Sequence, residues 1–472
     1  MMKVRLSFSF FFLFFLLSLC AFSQRSYDIT FNIEGLLAKQ IVIKSYYGKD
    51  KIVIDTLNKD ENNNFHLKKD SIFPSIAMVY YQNYELFTFL FGKDTSFTIN
   101  IDMDWNFHIE NSKDNDLYFE YQKENTFLRL LYSQIKETQI KDSTTRDSLI
   151  EEYSKKRNSF ILFQKDFFQN YPNHILTKID NAFKQVPLKE DFFIGEKIDT
   201  TKRKEIIYYI RKNFWNNFNF SDSIFMGTPQ FFNHFKRYIS EATIQRGDSI
   251  AESLKDFIVM ANNNGGELYS KYVFDYMIEQ NIDIPFAYNE DRMVEIVDRV
   301  VNDSITPFVS PSQIMELRIK ADRIRPLLVG KKFSNFSEKD FSNKTHNLYD
   351  IKSRYTIVYF WAAGCESCKK DIDILKNFYK NYHKIYDFEI YSIDLNEDLS
   401  QSIEFNTKTP FSWIVVKTTP EEIMKKYNLD ISLTPDIYIL DEEKRIVNHT
   451  PLYSQVIKTI KQLISLDKEK ED

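Results

Sequence analysis

Apolar and polar positions change their rhythm twice along this chain. From Tyr27 to about Asp104 they come in short runs, several strictly alternating, such as YDITFNIEG, KQIVIKSYY and SFTINIDMD. Gly35, Gly48-Lys49-Asp50, Asn62-Asn63-Asn64 and Gly92-Lys93-Asp94 punctuate the runs. Period two with regular turn signals predicts β-strands, and many short ones predict a β-sandwich over 24–110. From Asn111 to Arg325 apolar residues recur three and four apart, as in DLYFEYQKENTFLRLLYSQIKE, KRKEIIYYIRKNFWNNF and IAESLKDFIVMA. That spacing predicts amphipathic helices packed as a bundle over 111–325. Breaks fall at Tyr171-Pro172, Gly227-Thr228-Pro229, Asn262 to Gly266 and Thr306-Pro307. No period repeats, so a solenoid is not supported. From Pro326 strand and helix signals alternate, which predicts a C-terminal α/β layer domain over 326–472.

One stretch in that last part carries chemistry. Thr356 to Trp361 is a β-branched and aromatic run that reads as a buried strand. From Ser367 to about Tyr382, Ile372, Leu375 and Phe378 stand at helical spacing. The junction holds Cys365-Glu366-Ser367-Cys368. A C-x-x-C at a strand-to-helix turn is the arrangement of a thioredoxin-like redox site. Free N–H groups and the dipole at the helix start stabilise a thiolate on the first cysteine. The second lies one turn on and can attack a mixed disulfide. A zinc site would need four ligands, and no second cysteine pair exists. Haem attachment would need a histidine where Lys369 stands. Two inert core cysteines are the remaining alternative. No cofactor or metal is expected.

Composition narrows the setting. The 472 residues suffice for two or three domains, and 10 Gly and 12 Pro argue against long flexible linkers. Aromatic stripes in the helical part are expected to be core, and His174 and His234 to be structural or exposed. Met1 to Ser23 has a basic start, an apolar stretch from about Phe8 to Leu19 and Ala21-Phe22-Ser23 before Gln24. This reads as a secretory signal over 1–23. An uncleaved anchor or a lipidated Cys20 are its rivals. Cleavage would remove Cys20 and leave only Cys365 and Cys368, so all sulfur chemistry would fall at one site. The net charge of −5 becomes more acidic without Lys3 and Arg5, which gives no electrostatic reason to bind nucleic acid. The expected location is the periplasm or cell envelope.

The residues from about Leu327 to Leu466 resemble the extracytoplasmic thioredoxin-like family of the TlpA/ResA kind. Phe360-Trp361 before the C-x-x-C, Lys369-Lys370-Asp371 after it, and Thr434-Pro435 before DIYILD carry the resemblance. The layout as a whole resembles multidomain exported proteins of Bacteroidota. The resemblance implies a nucleophile at Cys365, a resolving thiol at Cys368 and a redox-active disulfide between them. It also implies a cis-proline at Pro435 and substrate contacts from Trp361, Thr434 and Pro435. Asp371 matches an acid that assists catalysis in such reductases. Three residues after Cys368 on one helix, its carboxylate can reach the buried sulfur and relay its proton. Gly364, Ser367 and Tyr359 depart from the family, standing for a common tryptophan, a common proline and the buried aspartate of cytosolic thioredoxins. A peroxiredoxin P-x-x-x-T-x-x-C, aligned on Cys365, would need proline and threonine where Val358 and Ala362 stand.

The expected function is an envelope thiol–disulfide oxidoreductase acting on protein thiols and disulfides, with reduction favoured and electrons supplied by a membrane donor. The competing reading is a binding or scaffold protein whose thioredoxin-like domain only docks. Lys369 and Lys370 are expected to stabilise the Cys365 thiolate and Glu366 to oppose them.

Overall fold

A computed structural model describes residues 25–138, 143–195, 197–282, 290–396, 399–408, 410–431, 434–450 and 453–471. The expected signal, Cys20 and the Gln24 cleavage site lie outside them. The chain falls into two compact units. One comprises the residues up to Ile244 together with Met260–Tyr272, the other Gln245–Val259 together with the residues from Val273.

The first unit opens with β1 (Arg25–Ile33), β2 (Gln40–Tyr47), β3 (Asp50–Asn58), β4 (Asn64–Ile72), β5 (Ser75–Tyr81), β6 (Tyr84–Phe91), β7 (Ser96–Ile101) and β8 (Phe107–Glu110). They form two four-stranded sheets, ordered β4-β1-β7-β8 and β3-β2-β5-β6. Alternate residues of both meet in one core, with Phe31, Phe65 and Ile99 from the first and Ile43, Val79 and Phe89 from the second. This is a β-sandwich.

Helices follow: α1 (Lys113–Glu137), α2 (Ser143–Asn170), α3 (Ile175–Ala182), a two-residue hairpin of β9 (Phe193–Ile194) with β10 (Lys197–Ile198), α4 (Arg203–Asn213), α5 (Pro229–Glu241), α6 (Gly247–Asn263), α7 (Glu267–Ile282), α8 (Glu290–Val300) and α9 (Pro311–Ile324). The aromatic stripes are core. Phe214, Trp215, Phe218, Phe231 and Tyr269 are buried together, with the Phe231 and Tyr269 rings 4.6 Å apart. His174 caps α3 through Nδ1 and bonds the Asp114 carbonyl through Nε2.

Asn115 ties α1 to the sandwich. It is 0% exposed, its Oδ1 accepts from the Leu90 N–H at 2.8 Å, and its Nδ2 donates to the Leu90 carbonyl at 3.1 Å. Asn115→Leu fills the space but leaves both Leu90 groups buried without partners. Each such loss costs about 1–3 kcal/mol. The urea midpoint of the first unit's transition is therefore expected to fall by the equivalent of about 2–4 kcal/mol. An unchanged midpoint would refute this.

The second unit holds the C-terminal sheet. Its strands are β11 (Ser337–Lys339), β12 (Thr345–Asn347), β13 (Tyr355–Trp361), β14 (Phe388–Asp394), β15 (Ile414–Lys417), β16 (Asp436–Leu440) and β17 (Ile446–Thr450), in the order β12-β11-β15-β14-β13-β16-β17. Helices α10 (Glu366–Tyr386), α11 (Leu399–Lys408), α12 (Pro420–Tyr427) and α13 (Tyr453–Glu471) connect and cover them. β13 runs parallel to β14 and antiparallel to β16. All seven of its residues are buried, because both faces are covered. Ile357, Tyr359 and Trp361 pack with α10 and α13, while Val358 and Phe360 pack with Phe336 and with Ile423 of α12. Among the described residues no helix is long and apolar enough to cross a membrane.

Candidate redox site

The site forms where β13 ends inside the sheet and the chain must reverse. Ala362, Ala363 and Gly364 make the turn, with the Cys365 N–H bonded to the Ala362 carbonyl at 3.0 Å. A Cβ on Gly364 would meet nothing within 4 Å, so the chain just before Cys365 borders open space. Cys365 is the N-cap of α10, and its Sγ accepts from the Cys368 N–H at 3.1 Å. The sulfur thus takes the place of a capping oxygen at the positive end of the helix.

Cys365 and Cys368 are joined in a disulfide, with Cα atoms 5.2 Å apart. The two sulfurs are not equivalent. Cys365 is partly exposed, whereas Cys368 is 0% exposed and packs in the core of Tyr359, Ile372 and Leu375. Only the first can meet a partner's sulfur. The Thr434–Pro435 peptide is cis, Pro435 is buried and Thr434 is half-buried. The Thr434 carbonyl lies 3.7 Å from Cys365 Sγ.

Asp371 is one turn beyond Cys368 on α10 and only 6% exposed. Burial disfavours its charged form and pushes its carboxyl up to about 6. Tyr359, on the adjacent strand, is fully buried and donates its hydroxyl to the Cys368 carbonyl at 3.3 Å. Burial, and then the Asp371 charge, hold that phenol far above its usual range, so it stays protonated.

One expectation changes. Trp361 is 0% exposed and packs its ring against Phe405 and Phe411, so it presents no surface to a substrate. Its place is under the turn, as support. Glu366 pairs with Lys369 at 2.9 Å, which offsets part of the lysine's charge near Cys365. The sequence reading also missed Asp394, the β13–β14 register partner of Trp361. It is 1% exposed, and burial raises its carboxyl. The signal was present, an acid closing the apolar run of DFEIYSIDL. Among the described residues no cluster of His, Cys, Asp and Glu could hold a metal ion.

Residues 329–449 match the AhpC/TSA family. The thiol-disulfide oxidoreductase ResA of Bacillus subtilis (strain 168) is 27% identical over 118 residues, which are 25% of this chain and 64% of that protein. The chain therefore spans a little under two thirds of that relative's length. ResA of Geobacillus kaustophilus (strain HTA426) is 22% identical over 125 residues, 26% of this chain and 70% of that protein. Among solved structures, a thioredoxin-like protein from Bacteroides caccae ATCC 43185 covers 59% of this chain and 98% of its own at 16% identity, with a TM-score of 0.49. The C-terminal domain is thioredoxin-like and similar in sequence to thiol–disulfide oxidoreductases.

Proposed function

We propose that this protein reduces protein disulfides in an extracytoplasmic compartment by dithiol exchange through Cys365 and Cys368. The observation that carries the reading is the asymmetry of the pair, a partly exposed sulfur capping a helix and a buried sulfur one turn behind it. In the reduced protein, the Cys365 thiolate attacks a substrate disulfide. A Cys365–substrate bond forms, the substrate bond breaks, and the leaving sulfur takes the electron pair and a proton. Cys368, deprotonated, then attacks Cys365, closing the internal disulfide and releasing the second substrate thiol. Two electrons pass to the substrate, and an external dithiol, on this reading held by a membrane partner, restores the enzyme.

Asp371 is the group placed to take the Cys368 proton. A carboxyl raised to about 6 exchanges protons readily near neutral pH. The Thr434 carbonyl stands 3.7 Å from Cys365 Sγ, and on this reading Thr434 and Pro435 serve as the substrate-binding edge. Reduction is favoured over oxidation because Lys369 spends its charge on Glu366, and strong oxidants need a far more stabilised thiolate. A peroxidase reading is disfavoured by Val358 and Ala362. The sandwich and helical parts, with divisions near Asn111 and Pro326, serve docking.

The test is turnover of a model protein disulfide by the full chain, supplied with a small dithiol. Turnover with one reversible disulfide per chain is the expected result. No turnover, with both thiols titratable, would leave the scaffold reading standing instead.

A further inference from the structure

We infer that the helices of the first unit hold a binding site for a small hydroxylated aromatic acid, where His234 accepts from the hydroxyl and Lys184 and Arg237 meet the carboxylate. The inference is independent of the thiol–disulfide reading, since no residue of the redox site takes part. The site is a hollow of about 210 Å³ between α4, α5 and the chain that follows α3. Pockets for drug-sized molecules begin at about 300 Å³, so this one suits a single ring with a short side chain.

His234 marks the site. It stands in the wall of the hollow and is 5% exposed, and its Nε2 is buried with no hydrogen-bond partner among the described residues. The ring is bonded to the Phe214 backbone, a bond that favours the ring's N–H. A neutral imidazole that donates at Nδ1 carries a bare lone pair at Nε2, which accepts and cannot donate. Burial pushes the imidazole down to about 4, so it is neutral near pH 7. A buried acceptor is costly to leave unpaired, and a ligand hydroxyl removes that cost.

The rest of the lining fits the same ligand. The Phe214 and His234 rings lie 4.2 Å apart and form an aromatic floor, and Leu188 and Ile210 are half-buried walls. His234, Arg237 and Glu241 stand at i, i+3 and i+7 of α5, so they share one face. Arg237 pairs with Glu241 at 3.0 Å and Lys184 with Asp180 at 3.5 Å, and both pairs are largely open to water. Exposed pairs of this kind are weak, so either cation can turn to a ligand carboxylate. Lys184 and Arg237 outnumber Glu241 at the mouth, which favours an acid over an amine. A carboxylate alone would leave Nε2 unpaired, so the ligand needs a hydroxyl as well.

The test is calorimetric titration of the full chain with three probes, 4-hydroxyphenylacetate, phenylacetate and 4-hydroxyphenylacetamide. The first is expected to bind about tenfold more tightly than phenylacetate, which lacks the donor, and about threefold more tightly than the amide, which lacks the charge. The Nε2 nitrogen resonance of His234 should move as the first probe is added. In Arg237→Gln the preference for acid over amide should shrink, and in His234→Phe the preference for the hydroxyl should vanish. If His234→Phe does not fold, the ranking of probes by the native chain and the resonance shift still decide. No binding of 4-hydroxyphenylacetate, or equal binding of all three probes, would overturn the site. So would an unmoved His234 resonance, since that leaves Nε2 to water alone.

Discussion

Cys368→Ser is expected to convert the protein into a trap. Cys365 keeps its partial exposure and its place at the start of α10, so the first attack proceeds. The sulfur that would resolve the intermediate is gone, and the hydroxyl in its place does not attack disulfides. A covalent complex with substrate should accumulate, joined through Cys365 and released by an added reductant. Multiple turnover should fall to background. Cys365→Ser should capture nothing, because Cys368 is 0% exposed and cannot meet a partner's sulfur. Non-reducing electrophoresis of both variants after exposure to a disulfide substrate decides the matter. Capture through Cys368 would reverse the assigned order of the two sulfurs.

The second large effect is expected at Asp371. Its carboxyl is raised from 3.8 to about 6 by burial, so the folded protein holds this proton more tightly than the unfolded chain does. The resulting stabilisation is fully present below about pH 4 and is lost as pH rises through about 6. The shift corresponds to about 3 kcal/mol at most, and hydration at the edge of the site brings it nearer about 2 kcal/mol. Asparagine cannot ionise. Asp371→Asn should therefore match the native protein at pH 4 and be more stable by about 2 kcal/mol at pH 8, read from urea unfolding. The same variant should release substrate more slowly than it attacks, because the group that takes the Cys368 proton is gone. Gained stability and lost turnover from one atom change is the mark of a group held in an unfavourable place for its chemistry. Equal destabilisation at both pH values would defeat the assignment and make Asp371 a structural residue.

The strand-to-helix turn that holds the cysteine pair was legible because its signals are local. The apolar run of β13, the C-x-x-C and the spacing of Ile372, Leu375 and Phe378 lie within two dozen residues. The start of α10 came out one residue off and its end four, since Glu366 already begins the helix and it runs on to Tyr386. The long strands of the sandwich were legible by alternation, but β8 was missed, being four residues with only half-buried apolar positions. What the sequence could not show was orientation. Trp361 stands beside the cysteines in the chain, yet its strand position points it inward.

The burial of β13 also bears on how such a protein changes over generations. Seven consecutive residues are locked between two cores and can scarcely vary in volume without loss of the sheet. Immediately after them, Gly364, Glu366 and Ser367 are all exposed, and an added side chain at Gly364 meets open space. Stability and reactivity are thus written in separate, adjacent words of the chain. Selection can adjust how readily the first sulfur ionises, and which partners may approach it, while the frame beneath stays fixed.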